Sequence, residues 1–345
     1  MDVKTADPAA WLGPDMAGSD DWLYTFSDHD IAEIDGAIAA AKGFDLIDVA
    51  KADFPLPGLG PVLAGIQNDV VHGRGFVMLR GLPVDRWTLT ESALAYWGIG
   101  CHFGDPVSQN AQGHLLGHVR DVGKDPGDPV TRIYQTAYLQ PYHTDSSDIV
   151  GLLCLQKSKS GGASRIVSST AIYLEMERRH PDLLAVLEQP FIIDRKNEVP
   201  AGMGPHYSIP LFYRHGGVRT VFYVRDFIEA ALRFDEVPDL TAAQTDALDA
   251  VDAIAADPAF HLEMAFEPGD IQFLHNHQIL HARTTYEDFP EPERRRHLLR
   301  LWLSTPNGRE LPPAFANRYG EIAVGKRRGG IHVPGFAFSA PVDVA

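Results

Sequence analysis

Residues 141–148 read PYHTDSSD and place His143 and Asp145 two positions apart, with Thr144 between them. In an extended chain residues i and i+2 point to the same face, their Cα atoms roughly 6.6 Å apart at a rise of ~3.3 Å per residue. An imidazole and a carboxylate spaced in this way can converge on one metal ion. The pattern is short, and a chain with 15 His and 46 acidic residues also produces it by chance. A third ligand must therefore come from elsewhere. The segment EPGDIQFLHNHQILHARTTYEDF, residues 267–289, offers His275, His277 and His281. His275 and His277 would share one face of a strand, while His281 follows the apolar pair Ile279-Leu280. The three cannot all be ligands, and a hydrogen-bonded, partly buried state is the ordinary one for a single histidine.

Two imidazoles and one carboxylate on one face of an ion, with open positions opposite, is the arrangement of non-haem Fe(II) oxygenases. Such an iron needs a co-substrate that supplies two electrons. If that is 2-oxoglutarate, its keto and C1-carboxylate oxygens chelate the metal. Its distal carboxylate then requires a buried cation, best met by the fork of an arginine. The segment ERRRHLLRLWL, residues 293–303, supplies one. As an alternating strand it turns Arg296, Leu298, Arg300 and Trp302 one way and His297, Leu299, Leu301 and Leu303 the other. Arg296 and Arg300 then fall on the cavity side, and Arg294 and Arg295 belong to a solvated face.

The elements that must position these residues are legible in outline. Ser27 opens a helix with Asp30 as its capping-box partner, Ile31, Ile34 and Ile38 as its buried stripe and Gly43 at its end. Pro61 starts a second helix reaching about His72, and residues 91–103 form a third. Strands are expected at GFVMLRG (75–81), HLLGHV, IVGLLCLQ, SRIVSS, FIIDR, HLEMAF, DIQFLH and HLLRLWL. FYRHGGVRTVFYV reads as a hairpin turning at Gly216-Gly217. Helices near 170–187 and 241–257 interrupt them, and residues 1–20 read as a loosely held leader. Many short strands with flanking helices give an α+β fold: a double-sheet, jelly-roll core in a single domain over 1–345. A dinucleotide fingerprint and a Walker loop are both missing, which argues against a doubly wound sheet.

Composition agrees. The chain has 345 residues, 45% of them hydrophobic, and a formal charge of −16. It has no basic stripe suited to nucleic acid, no apolar stretch of membrane-spanning length, and two cysteines, Cys101 and Cys154, which fit a reducing, cytoplasmic setting. Whether it forms a homo-oligomer is left open.

With these residues in place the chain resembles the taurine dioxygenase / clavaminate synthase-like family of Fe(II)- and 2-oxoglutarate-dependent oxygenases. The resemblance rests on His143-Thr144-Asp145, Gly161-Gly162-Ala163-Ser164, Gly269-Asp270 through His281-Ala282-Arg283, and Arg296-His297-Leu298-Leu299-Arg300, spanning roughly 75–305. It implies a double-stranded β-helix with His143, Asp145 and His281 as metal ligands. Arg296 would bind 2-oxoglutarate, and Ser164 would stand where the family usually has a threonine contacting the same carboxylate. Arg300 matches a second arginine near substrate or cosubstrate. A carboxylate at 145, where halogenating relatives have Gly or Ala, implies O2 activation with release of CO2 and succinate. Hydroxylation of an unactivated C–H bond is the default outcome; desaturation and ring formation are the variants.

Competing readings make different demands. A cupin-like metal oxygenase or isomerase that ignores 2-oxoglutarate would give Arg296 and Ser164 no role. A non-enzymatic β-helix would carry degraded ligands, and a serine hydrolase would need a G-x-S-x-G elbow, which is absent. For a small-molecule substrate, residues 132–138 should feed side chains to the cavity, with Gln135 and Tyr138 as contacts. Arg300 and Arg283 point toward an anionic substrate. The Gly- and Pro-rich segment 197–210 is the expected lid.

Overall fold

The computed structural model describes residues 7–343. Seven strands make the larger sheet. Its order is Leu23–Thr25, Phe76–Arg80, Ile271–His275, Ile149–Gln156, His297–Ser304 and Asp105–Val107, and Leu116–Val119 also pairs with His297–Ser304. Four strands make the smaller one, in the order His261–Met264, Ser164–Ser168, Ile279–Arg283 and Gln140–His143.

Period-two alternation decides what each strand buries on its two faces. Leu299, Leu301 and Leu303 join an apolar cluster with helices Asp28–Ala41, Leu59–His72 and Leu89–Gly100. Leu298 and Trp302 point the other way. There they meet Ile166, Leu262, Met264 and Ile279 of the smaller sheet, so a second cluster fills the space between the sheets. Val167 and Leu280 face outward from the smaller sheet onto helices Ser169–Arg179, Pro181–Leu187 and Ala242–Ala256. The result is helices, sheet, sheet, helices, with residues such as Arg300 forced into the inter-sheet space by their register.

The first helix begins as its sequence predicts: Asp30 N donates to Ser27 Oγ at 3.2 Å and Ser27 N to Asp30 Oδ2 at 2.8 Å. The second starts two residues before Pro61, because Glu33 caps it from a distance, accepting from Gly58 N and Leu59 N at 2.7 and 2.8 Å. The helix expected over 170–187 is two helices, broken at His180-Pro181, where proline removes an N–H and pushes its predecessor out of the helical region.

Two expectations need correction. Residues 7–20 are held firmly: Trp11 is 5% exposed and donates from Nε1 to Arg74 O at 2.8 Å, and Ser168 Oγ donates to Ala9 O. Residues 1–6 of the expected leader lie outside the described residues. The segment 197–210 is not all loop, since His206–Pro210 pairs antiparallel with Pro190–Asp194. Among the described residues no helix is long and apolar enough to cross a membrane.

Candidate active site

His143 ends the strand Gln140–His143, and its Cα partner on the neighbouring strand is His281. The pairing brings the two imidazole centroids to 4.1 Å. Asp145 follows just past the strand, and the backbone there is clamped on both sides. Thr144 N donates to Tyr223 O at 2.8 Å, and Tyr223 N returns a bond to Thr144 Oγ1 at 3.1 Å. Asp145 N donates to Asn276 Oδ1 at 3.0 Å, while Asn276 Nδ2 donates to Ser147 O at 3.0 Å. One ligand atom from each of His143, Asp145 and His281 then lies within 4.8 Å of the others.

Protonation suits a metal. His143 Nδ1 is 2.8 Å from Pro141 O and must donate to it, which leaves the Nε2 lone pair facing Asp145 Oδ1 at 3.9 Å. His281 Nε2 stands 3.8 Å from Asp145 Oδ2. Burial, reinforced by His143 and Arg300 and opposed by Asp145, pushes the His281 imidazole down to about 3, so it is neutral. Burial alone would raise the Asp145 carboxyl, but Arg300 and the two histidines outweigh it and hold the group at about 2. Trp302 Nε1 donates to Asp145 Oδ2 at 2.8 Å. The Nε2 atoms of two histidines and an ionised carboxylate are a donor set that fits Fe(II). The other two histidines are elsewhere. The strand stops at His275, His277 lies in the following turn, and His277 Nε2 sits 3.1 Å from Asp148 Oδ1.

Beside the triad a cavity runs between the sheets, lined by Ser164, Phe266, Arg283, Arg296 and Arg300 together with the three ligands. Arg296 is buried, its guanidinium 5.1 Å from the Tyr286 ring centroid, and its Nη1 has no hydrogen-bond partner. Arg283 stands 4.8 Å from the same ring and donates to the carbonyls of Thr136 and Tyr138, yet its Nε is also buried and unpartnered. Burial, with Arg296 alongside, lowers Arg283 to about 10. Ser164 Oγ lies 3.2 Å from Gln272 Oε1.

On the other side of His143 and Asp145 opens a second space, with Arg132, Tyr134, Asp226, Phe227, Arg300 and Arg318 in its wall. Arg300 donates from Nε to Gln109 Oε1 at 2.7 Å, lies 4.4 Å from the Tyr134 ring centroid and stands 3.8 Å from Asp145 Oδ2. The segment expected to contact substrate borders both spaces, but through other residues than those expected. Gln135 closes a 3-10 turn, Ile133–Gln135, and lines neither space; Tyr138 is 59% exposed. Tyr134 and Gln140 line both spaces instead. Arg318 lies beyond the stretch in which the sequence motifs occur, and no local signal marks it.

This geometry has counterparts. The chain matches the family described as taurine catabolism dioxygenase TauD, TfdA family over residues 39–302. It is 32% identical over 328 residues to FR-33289 synthase of Streptomyces rubellomurinus, covering 92% of this chain and 96% of that protein. It is also 32% identical over 327 residues to the taurine hydroxylase-like protein SAT17 of Stachybotrys chartarum, covering 91% and 83%. Among solved structures, asparagine oxygenase in complex with Fe(II), 2S,3S-3-hydroxyasparagine and succinate aligns with a TM-score of 0.63 at 20% identity, over 82% of this chain and 94% of that one. That last likeness concerns the fold. The chain belongs to the TauD, TfdA family and is a non-haem iron dioxygenase that uses 2-oxoglutarate.

Proposed function

We propose that this dioxygenase hydroxylates an unactivated C–H bond of a small molecule, with His143, Asp145 and His281 holding the iron. Bound there, iron and 2-oxoglutarate supply the oxidising power and leave CO2 and succinate. The chain's own residues do the positioning. The Pro141 carbonyl fixes the His143 tautomer, and Trp302 orients the Asp145 carboxylate. Arg296 takes the distal carboxylate of 2-oxoglutarate, with Arg283 beside it and Ser164 as a further donor, and Arg300 faces the substrate. The observation that carries this reading is the pair of buried, unpartnered guanidinium N–H groups in the cavity that also holds the triad. Orphaned buried donors are costly, and a carboxylate between Arg283 and Arg296 removes that cost.

The two facing sheets fit a double-stranded β-helix, and the layers share clusters in the manner of one oxygenase domain. We place the enzyme in the cytoplasm, acting on a small molecule rather than on nucleic acid.

Anaerobic titration of the Fe(II) protein with 2-oxoglutarate, followed by the absorption band of the complex, tests the assignment. Removing one partner of a buried charge pair costs roughly 2–5 kcal/mol, so Arg296→Ala should weaken binding by about thirtyfold or more. Arg296→Lys should recover part of it, keeping the charge without the fork. Ser164→Ala should cost about 1 kcal/mol. If Arg300→Ala shows the large loss and Arg296→Ala almost none, the two arginines must exchange roles.

A further inference from the structure

A third cavity lies where the hairpin turning at Gly216-Gly217 meets the end of helix Leu59–His72, the start of helix Ser169–Arg179 and the chain just past strand His297–Ser304. None of its residues lines either space beside the triad. Two of them are arginines, Arg219 and Arg309. The Arg219 guanidinium stands 5.1 Å from the centroid of the Tyr173 ring, and its Nε is buried with no hydrogen-bond partner. Arg309 donates from Nη1 to Arg219 O at 3.1 Å and from Nε to Val71 O at 3.4 Å, both uncharged acceptors. Burial lowers this guanidinium to about 10, and the Asp7 carboxylate works against the shift. Asp7 thus serves both arginines while engaging neither closely. Its Oδ2 stands 3.8 Å from Arg219 Nη1, past hydrogen-bonding distance, and its Oδ1 accepts from Ala9 N at 3.0 Å. Glu310, the other carboxylate on the wall, is exposed, where solvent screens it. Thr170 adds the first turn of a helix, the end that carries partial positive charge.

We propose that this cavity, apart from the triad, binds a phosphate-type dianion between Arg219 and Arg309. Both guanidinium groups lie about the same Asp7 carboxylate, so one ligand can meet both. Two such cations set against one half-engaged carboxylate leave a positive excess. A tetrahedral dianion matches it in charge and has enough oxygens to take N–H donors from each arginine. The orphaned Arg219 Nε then gains an acceptor, which removes the cost of a buried, unpaired donor. Free phosphate and the phosphate-ester end of a larger molecule share this chemistry. Behind the site, Arg309 O accepts from Arg328 Nη1 at 2.7 Å, and Arg328 Nε donates to Asp148 Oδ1 at 2.9 Å. Occupancy would therefore be felt as stability of the fold, whatever happens at the iron.

The test titrates the full chain with inorganic phosphate, phenyl phosphate and acetate at constant ionic strength, free of metal so that no probe coordinates iron. Heat of binding and the thermal midpoint are both read. Phosphate should bind about tenfold or more tightly than acetate and raise the midpoint as its concentration rises. Phenyl phosphate bound as tightly as phosphate, or more so, identifies the ester end of a larger molecule; phenyl phosphate excluded identifies free phosphate. Arg219→Ala and Arg309→Ala should each weaken phosphate by about tenfold or more, whereas Arg296→Ala, in the cavity beside the triad, leaves its binding unchanged. Arg309→Gln, which keeps a donor for the Arg219 carbonyl, takes the place of the alanine variant if that does not fold. Asp7→Asn should strengthen phosphate by about threefold, because the competing charge is gone while Ala9 N keeps its acceptor. Phosphate bound no better than acetate, or equally well by the Arg219 and Arg309 variants, overturns the proposal. So does loss of phosphate binding in Asp7→Asn or in Arg296→Ala.

Discussion

Two buried clusters in this protein have the same composition and different fates. One contains His143, His281, Asp145 and Arg300; the other contains His275, His277, Asp148 and Arg328. The two aspartates are three residues apart, and each cluster takes histidines from the segment 275–281. In the second cluster Arg328 Nε donates to both oxygens of Asp148 at 2.9 and 3.0 Å, Thr305 N donates to Oδ2 at 3.0 Å, and His277 Nε2 lies 3.1 Å from Oδ1. Asp148, His275 and His277 are 0% exposed, and none lines either space beside the triad. The carboxylate is saturated, so the cluster is a lock that ties Arg328 of the C-terminal segment to the centre of the fold. In the first cluster Arg300 stays 3.8 Å from Asp145 and spends its Nε on Gln109, and Trp302 is the one close donor to the carboxylate. A metal site is made here by what is left unsatisfied, not by which residues are gathered.

That contrast can be broken by exchanging the consequences of the two aspartates. Asp145→Ala should abolish 2-oxoglutarate turnover and the Fe(II)–2-oxoglutarate band, because the site loses its only anionic ligand. His143→Ala and His281→Ala should do the same, whereas His275→Ala and His277→Ala keep the band. Asp148→Ala should instead cost about 3–5 kcal/mol of stability, since it strands the Arg328 guanidinium, 1% exposed, without its counter-charge. Denaturant titration measures this cost. A stably folded Asp148→Ala protein without the band would make the second cluster functional, and the distinction would fail.

Trp302 sharpens the comparison by a smaller step. Its indole plays for Asp145 the orienting part that Arg328 plays for Asp148, but with a single bond. Trp302→Phe should weaken Fe(II) binding by 10–100-fold, the usual effect of losing a hydrogen bond behind a metal ligand, and leave the fold intact. Iron titration of the apoprotein reads it directly. Unchanged affinity would mean that the backbone clamps at Thr144 and Asn276 orient Asp145 without help.

Much of this arrangement is legible in the chain because it is periodic or local. The alternation of 296–303 separates Leu299, Leu301 and Leu303 from Leu298 and Trp302, as the two apolar clusters confirm. The Ser27–Asp30 capping box is a four-residue signal. His143 and Asp145 are readable because they are close in sequence, whereas the third ligand is open among His275, His277 and His281 until the family resemblance points to His281. What escapes is whatever depends on distant pairing. Asn276, which holds the Asp145 backbone, looks like any turn residue, and Glu33 caps a helix 25 residues away. The lid expected over 197–210 is partly a strand because its partner, 190–194, is a separate signal. The expected contacts Gln135 and Tyr138 line neither space beside the triad, whereas Tyr134 and Gln140 line both.

The smallest effect is set by pH and separates the sealed cluster from the open one. Both ring nitrogens of His275 lack a partner, and burial, followed by Arg309, His277 and Arg328, keeps its pKa well below the ordinary 6.5. In the folded protein it therefore stays neutral at pH values where the unfolded chain has already bound a proton. The unfolded state then holds the greater number of protons, so stability is full above pH 6.5 and falls as pH drops below it. From pH 6.5 to 5.5 one such histidine costs about 1 kcal/mol. His275→Gln removes the titrating group and should flatten the pH dependence by that amount, whatever it does to absolute stability. Denaturant titrations of the metal-free wild type and variant at both pH values isolate the difference, since the imidazoles of His143 and His281 are common to the two proteins. Parallel slopes would mean that the His275 pocket admits a proton as readily as water does, and that the second cluster is not sealed.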